Sequence, residues 1–258
     1  MRNYFIFLPD SGGVVDSREL SIHIEHMPDI QRAPERVEKI VIPGRSGTLT
    51  KTQGENVYDS YIKSFDIVAM DEEKIQSIQR LLRGNGKIIF SNEPQFRYTV
   101  SITDGWSFNR FFRQWRRATI SMETFPFKEK TEEKIWRGVF VESGIAGQEG
   151  ARGTRTELNI ETDIPCPFFA EIDGGGEPQG ILSIYLNGIQ RIQGVVIGEK
   201  IFLDNEKILL YNEYGENQLK MQFSRTGQFP IYLIPGKNIL ETRWYGASIT
   251  VKCRGWFL

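Results

Sequence analysis

The residues whose types could support chemistry are few and widely spaced. Only two histidines occur among 258 residues, and both fall in the run Ile22, His23, Ile24, Glu25, His26. Side chains alternate faces along a strand, so His23 and Glu25 share one side while His26 points to the other. Three ligands cannot converge on one ion from this run, and no metal site is expected. A Ser–His or Cys–His nucleophile would have to borrow one of the same two imidazoles. Neither a Gly-x-Ser-x-Gly elbow nor a papain-like cysteine context accompanies them, so acyl transfer is not expected.

Other chemistry fares no better. Cys166 and Cys253 are the only cysteines, too few and too far apart in sequence for a zinc site of the Cys-x-x-Cys kind, and they read as two reduced core thiols. Gly174, Gly175 and Gly176 lack the strand–glycine–helix context of a dinucleotide fold. Gly44, Arg45, Ser46 and Gly47 lack the lysine of a phosphate loop, so both sets read as turns. Glycoside hydrolysis needs two carboxyls held at a separation that only a fold can set, and among 33 acidic side chains chance pairs are common. No catalytic residue and no cofactor is assigned.

One cluster does carry a recognition signal. Arg110, Arg113, Arg116 and Arg117 are interleaved with Trp106, Phe108, Phe111, Phe112 and Trp115. Such mixing could stack and neutralise single-stranded nucleic acid. Trp, Phe, Tyr and Arg are also the side chains enriched in the cores of protein interfaces. The chain has 32 basic and 33 acidic residues, a net charge of −1, which lacks the electrostatic footprint of a nucleic-acid or anionic-membrane binder. Trp106, Phe108, Arg110, Phe111, Arg113 and Trp115 are therefore expected to form a protein contact.

The elements that must position these residues are mostly strands. Hydrophobic residues make up 40% and charged residues 25% of the chain, enough for a sizeable core and too apolar for disorder. Short runs rich in Ile, Val, Phe and Tyr alternate with polar residues and close on glycine-bearing turns, around Ile22 and Ile24, Val37 and Val41, Tyr61 to Ile67, Lys87 to Ser91, Tyr98 to Thr103 and Ala118 to Phe125. One helix is predicted from Asp71 to Arg83, capped by Asp71, with Ile75, Ile78, Leu81 and Leu82 sharing a face. Gly84 ends it, and Asn85 and Gly86 form a tight turn into the next strand. The fold class is all-β with one short helix.

The charged run Lys128 to Lys134 resists burial and reads as a linker. It divides the chain into domains of residues 1–130 and 131–258. In the second domain, about nine strands fit between Leu158 and Phe257, punctuated by hairpin turns at Asn187–Gly188 and Asp204–Asn205, as in a β-sandwich. The glycine-bearing stretch from Gly144 to Thr156 reads as a mobile loop. The short apolar stretch Tyr4 to Leu8 is no secretory signal and no segment is long enough to span a membrane, so synthesis in the cytoplasm is expected.

Several motifs, in order, resemble the distal tail protein (Dit) family of long-tailed bacteriophages. In the first half these are Ile42 to Leu49 with Pro43 and Gly44, Tyr58, the strand Tyr61 to Val68, Leu81 to Gly86, Ile88 to Ser91 with Glu93 and Pro94, Tyr98, then Arg116, Ala118 and Ile120, and the closing Phe125 to Lys128. In the second they are Asn159 and Pro165, Ile172 to Gly174, Ile184 to Asn187, Phe202 to Asp204, Tyr211, Gly227 to Pro230 and Leu233 to Asn238. Ser46 departs from the pattern, since an aspartate is common there.

The resemblance implies an N-terminal ring-forming β domain and a C-terminal galectin-like β-sandwich on the rim of a homo-hexamer at the virion tail tip. One ring face would join the tail tube protein and the other a tail-tip or tail-associated protein, with receptor-binding proteins as further partners. Such a hub has no enzymatic activity, and the protein would be made in the host bacterial cytoplasm. The alternative is a carbohydrate-binding adhesion module. Its candidate sugar-site residues are Trp244 and Tyr245, for which strand core is the favoured reading.

Overall fold

The computed structural model describes residues 3–52, 54–142, 144, 152–176, 179–218, 229–244 and 247–258. The chain forms two compact units, Met1–Thr131 with Phe257–Leu258, and Glu132–Trp256.

The first unit contains β1 (Phe5–Pro9), β2 (Val15–Asp16), β3 (Ile22–His26), β4 (Val37–Val41), β5 (Thr48–Thr52), β6 (Tyr61–Ala69), α1 (Ile75–Leu81), β7 (Gly84–Phe90), β8 (Phe96–Ile102), β9 (Asn109–Phe112) and β10 (Trp115–Lys130). Its main sheet is antiparallel, in the order β2-β1-β7-β8-β10-β6-β3. Alternate residues face the core: Phe5 and Phe7, Phe65 and Ile67, Ile88 and Phe90, Val100 and Ile102, Ala118, Ile120 and Met122. Strands β1 and β6 stand four places apart, which in a flat sheet is roughly 19 Å. Yet the Phe5 and Phe65 rings lie 5.3 Å apart, edge to face. The sheet therefore curls until its strands face one another across a shared core, and Phe90 completes the aromatic contact with Phe65 at 5.4 Å.

The helix is shorter than predicted. Asp71 caps it as expected, accepting from the Glu73 amide at 3.0 Å, but the first turn, Glu72–Lys74, is 3-10 and the α-helix ends at Leu81. Ile78 and Leu82 are buried, whereas Leu81 is exposed and lies off the buried stripe. Gly84 has φ 76° as predicted, but Asn85 and Gly86 are not a turn; they already belong to β7. A Cβ on Gly86 would stand 2.7 Å from the Phe7 ring and 2.9 Å from Pro9 Cα. That glycine serves the close approach of β1, a role a local turn signal does not reveal.

The charged run is only partly a linker, because β10 continues through Lys128, Glu129 and Lys130 and pairs with β8. The register shifts between Thr124 and Lys128, where Pro126 can donate no ladder hydrogen bond. Glu129 is buried in the sheet because two cations meet it there. It accepts from Lys87 Nζ at 2.9 and 3.0 Å and from Arg97 Nε at 2.7 Å. Burial pushes this carboxyl upward, but the Lys87 and Arg97 charges and their hydrogen bonds outweigh it and hold the group below its ordinary value.

The second unit is a β-sandwich. Its strands are β11 (Lys134–Arg137), β12 (Val139–Val141), β13 (Gly153–Ile160), β14 (Phe168–Asp173), β15 (Gln179–Leu186), β16 (Ile189–Ile197), β17 (Lys200–Asp204), β18 (Leu209–Asn212), β19 (Gly236–Arg243) and β20 (Ser248–Cys253). One sheet runs β11-β20-β14-β17-β18 and the other β12-β13-β19-β15-β16. Leu158, Ile172, Leu182, Ile184, Leu203 and Val251 fill the space between them. The Asn187–Gly188 turn forms as predicted, with both residues at positive φ, 53° and 79°. Asp204 and Asn205 differ from the prediction, since four residues separate β17 from β18. Asn205 is buried, donating to the Phe168 carbonyl at 3.0 Å and accepting from the Ile231 amide at 2.8 Å. Of the predicted mobile loop, Gly153 to Thr156 belong to β13, while residues 145–151 lie outside the described residues.

Two predictions follow from this packing. Glu129→Ala should deprive the half-buried Lys87 and Arg97 of this buried anion and destabilise the protein by about 2 kcal/mol in chemical denaturation. Because the folded-state pKa of Glu129 is depressed, its contribution is present above the ordinary glutamate value and is lost as pH falls through the folded value. The difference in stability between wild type and Glu129→Ala should therefore shrink on acidification, and a pH-independent difference would contradict it.

Candidate assembly surface

The aromatic and arginine cluster divides into two parts. Trp106 and Phe108 are half-buried, pack against the first unit's own core and meet edge to face at 5.3 Å. The remainder forms a projecting hairpin of β9 and the start of β10, with Phe112 opposite Trp115 and Arg113 at the tip with φ 45°. Phe111, Phe112 and Trp115 are 50%, 56% and 42% exposed. Phe112 and Trp115 support each other edge to face, with ring centroids 6.1 Å apart, and the Arg113 guanidinium lies 5.4 Å from the Phe112 ring centre.

The arginines differ in how much charge they offer. Arg116 pairs with Glu72 at 2.6 Å, and Arg117 with Glu25 at 2.9 Å and Asp66 at 3.2 Å. Hydrogen bonds from Thr119 and the Arg117 charge hold Asp66 below the ordinary carboxylate range. These pairs neutralise half of the basic cluster, leaving Arg110 and Arg113 to flank the exposed rings. An apolar ridge with two cations beside it suits a protein contact better than a phosphate backbone.

A second exposed element was not singled out by sequence. Strands β4 and β5 pair only with each other, and nine of their ten residues are exposed. A two-stranded ribbon alone is at best marginal in water. This one nevertheless carries Val41 and Leu49, 73% and 48% exposed, and Ile42 beyond them. Its signal in the sequence was weak: Val37 and Val41 alternate as in any half-buried strand, and only the surroundings reveal that neither face is covered.

The base of the ribbon is firmly held. The Arg36 amide donates to the Val57 carbonyl and the Asp59 amide to the Pro34 carbonyl, each at 2.9 Å, and Arg36 pairs with Asp59 at 2.5 Å. Tyr58 packs edge to face on Phe127 at 5.6 Å. Nearby, buried Lys63 donates to the Asp29 carbonyl, fixing the segment that leads into the ribbon. Burial pushes the Lys63 ammonium down, although the Glu93 charge resists it. Glu93 accepts from the Tyr98 hydroxyl and pairs with Lys128 at 3.0 Å. Burial and the Glu93 charge push Tyr61 up to about 12.

The two exposed elements mark opposite ends of the sheet. The ribbon's base adjoins the start of β6, where Tyr61 pairs with Thr124; the aromatic hairpin rises at the other end, where Ala69 pairs with Arg116. Nine residues of β6 separate them, roughly 26 Å of strand.

The candidate sugar-site residues are not exposed together. Trp244 is 3% exposed and belongs to the core of the second unit. Gly174 and Gly180 both abut its indole, and a Cβ on either would collide with the ring. The sequence reading of Gly174 as a turn is corrected accordingly: Gly175 and Gly176 have positive φ, while Gly174 makes room for tryptophan. Tyr245 lies outside the described residues. Among the described residues there is no cluster of three His, Cys, Asp or Glu side chains suited to a metal, and no helix is long and apolar enough to cross a membrane.

No protein-family model and no curated protein matches the chain. Among solved structures it is similar to the SPP1 Dit protein (gp 19.1), described as a paradigm of the hub adsorption apparatus in phages infecting Gram-positive bacteria. The TM-score is 0.64 at 13% identity, covering 98% of this chain and 99% of that one. At this identity the likeness is one of fold, and it extends across nearly the whole of both chains.

Proposed function

We propose that this protein is a structural, non-enzymatic hub of a phage tail tip, assembling head to tail into a hexameric ring that joins the tail tube to the tail-tip or baseplate proteins. One observation carries the reading: the first unit presents two different exposed apolar elements, the β4–β5 ribbon and the β9–β10 hairpin, at opposite ends of one sheet. A closed heterologous ring needs two unlike patches on every subunit, whereas a two-fold dimer needs only one self-complementary patch. The ribbon supplies a projecting arm and the hairpin an aromatic ridge, the kinds of surface that obligate interfaces of roughly 2,000 Å² bury.

The end-to-end fold likeness to a phage hub protein supports the same assignment. In this reading the first unit is the ring-forming domain, and the second is a galectin-like rim module to which receptor-binding proteins attach. The mature protein sits at the virion tail tip after synthesis in the host cytoplasm. The carbohydrate-binding alternative loses support from Trp244, whose ring is enclosed by its own unit.

Two experiments test the proposal. Sedimentation of the purified chain at micromolar concentration should give hexamers, in equilibrium with smaller species; monomers alone, across salt conditions and with the tail partners present, would count against it. Val41→Asp with Leu49→Asp should break the ring while circular dichroism stays unchanged, because both side chains are exposed. Trp115→Ala should weaken association by about 30-fold, the effect of losing a typical interface anchor worth about 2 kcal/mol. Full assembly by both variants would remove these elements from the interface.

A further inference from the structure

Cys166 and Cys253 are 87 residues apart in sequence, and both are buried in the core of the second unit. Their sulfurs lie 3.4 Å apart. The backbone around each is fixed. Cys166 exchanges two amide–carbonyl hydrogen bonds with Leu233, both 2.9 Å, and Cys253 is the β20 partner of Phe168 in β14 and of Lys134 in β11. Because Phe168 stands two residues after Cys166, the two cysteines are diagonal neighbours on one face of adjoining extended segments. Bond formation requires each sulfur to move only roughly 0.7 Å, given a disulfide length of about 2.05 Å.

We propose that this pair is a latent disulfide, folded as two thiols and closed by a small oxidant without rearrangement of the sandwich. The step balances with a peroxide as oxidant. The thiolate of one cysteine attacks one peroxide oxygen, giving the sulfenic acid and releasing hydroxide. The other cysteine then attacks that sulfur and expels a second hydroxide; in the reduced pair Cys166 is held below the ordinary thiol range by its hydrogen bond with Cys253 despite burial. The two thiol protons and two hydroxides leave as two waters, one peroxide being consumed. The proposal concerns the second unit alone and does not depend on ring formation.

Intact-mass measurement and thiol counting under denaturing conditions, before and after exposing the folded full-length protein to hydrogen peroxide, test it directly. The expected result is loss of two hydrogens, disappearance of both thiols, a Cys166–Cys253 linked peptide, and full reversal by dithiothreitol. Closing a loop of this length should also raise Tm by roughly 10 °C relative to the reduced protein. Cys166→Ala should instead accumulate oxygen on Cys253 under the same treatment. Two unreacted thiols after prolonged exposure, oxygen addition to the wild type without a cross-link, or disulfides joining separate chains would each overturn the proposal, and the wild-type readout holds even if the variant does not fold.

Discussion

The first unit is organised by the curl that brings Phe5 into contact with Phe65. An antiparallel sheet with one apolar face needs a second layer, and α1, with its seven residues, is too short to provide one. By bending until β1 and β6 meet, the sheet acts as its own second layer and encloses Phe5, Phe65, Phe90 and Ile120. The helix then only closes the gap with Ile78 and Leu82. Val41 and Leu49 of the ribbon and Phe111, Phe112 and Trp115 of the aromatic hairpin lie outside this core and stay exposed within their own unit.

Curling also explains which charges can live inside the sheet. Strand β10 runs sixteen residues along the unit, and the register shift at Phe125–Pro126–Phe127 allows its last stretch to keep pairing with β8. Lys128 and Glu129 are thereby carried to their partners, Glu93 in the turn between β7 and β8 for the first, and Lys87 of β7 with Arg97 of β8 for the second. These two clusters brace the end of the sheet from which the ribbon departs. Buried ion pairs with several hydrogen bonds are directional in a way that apolar packing is not, so they fix the geometry at the root of the ribbon.

Much of this was legible in the sequence because alternation with period two is a local signal. The strands near Ile22, Tyr61, Tyr98 and Ala118, the cap at Asp71 and the Asn187–Gly188 turn all announce themselves within a few residues. What was illegible depends on partners distant along the chain. Glu129 looked like linker because its cations are 42 and 32 residues away. Asn85–Gly86 looked like a turn because the strand pressing on Gly86 comes from the N-terminus. Trp106 and Phe108 looked the same as Phe111 and Trp115, since spacing does not distinguish a ring that folds back onto the core from one that points outward. Of the exposed ribbon only Val37 and Val41 were read as a strand, and β5 carried no strand signal of its own.

The fit of Trp244 between Gly174 and Gly180 imposes an order on evolutionary change. Neither glycine can acquire a side chain while the indole is in place, and the indole cannot shrink without opening a void in the sandwich. A lineage that drifts at these three positions must pass through the smaller aromatic or aliphatic first, and only afterwards can the glycines diversify. Three residues scattered over about seventy positions thus form one packing unit, in which a change at any one position has to be met by a change at another.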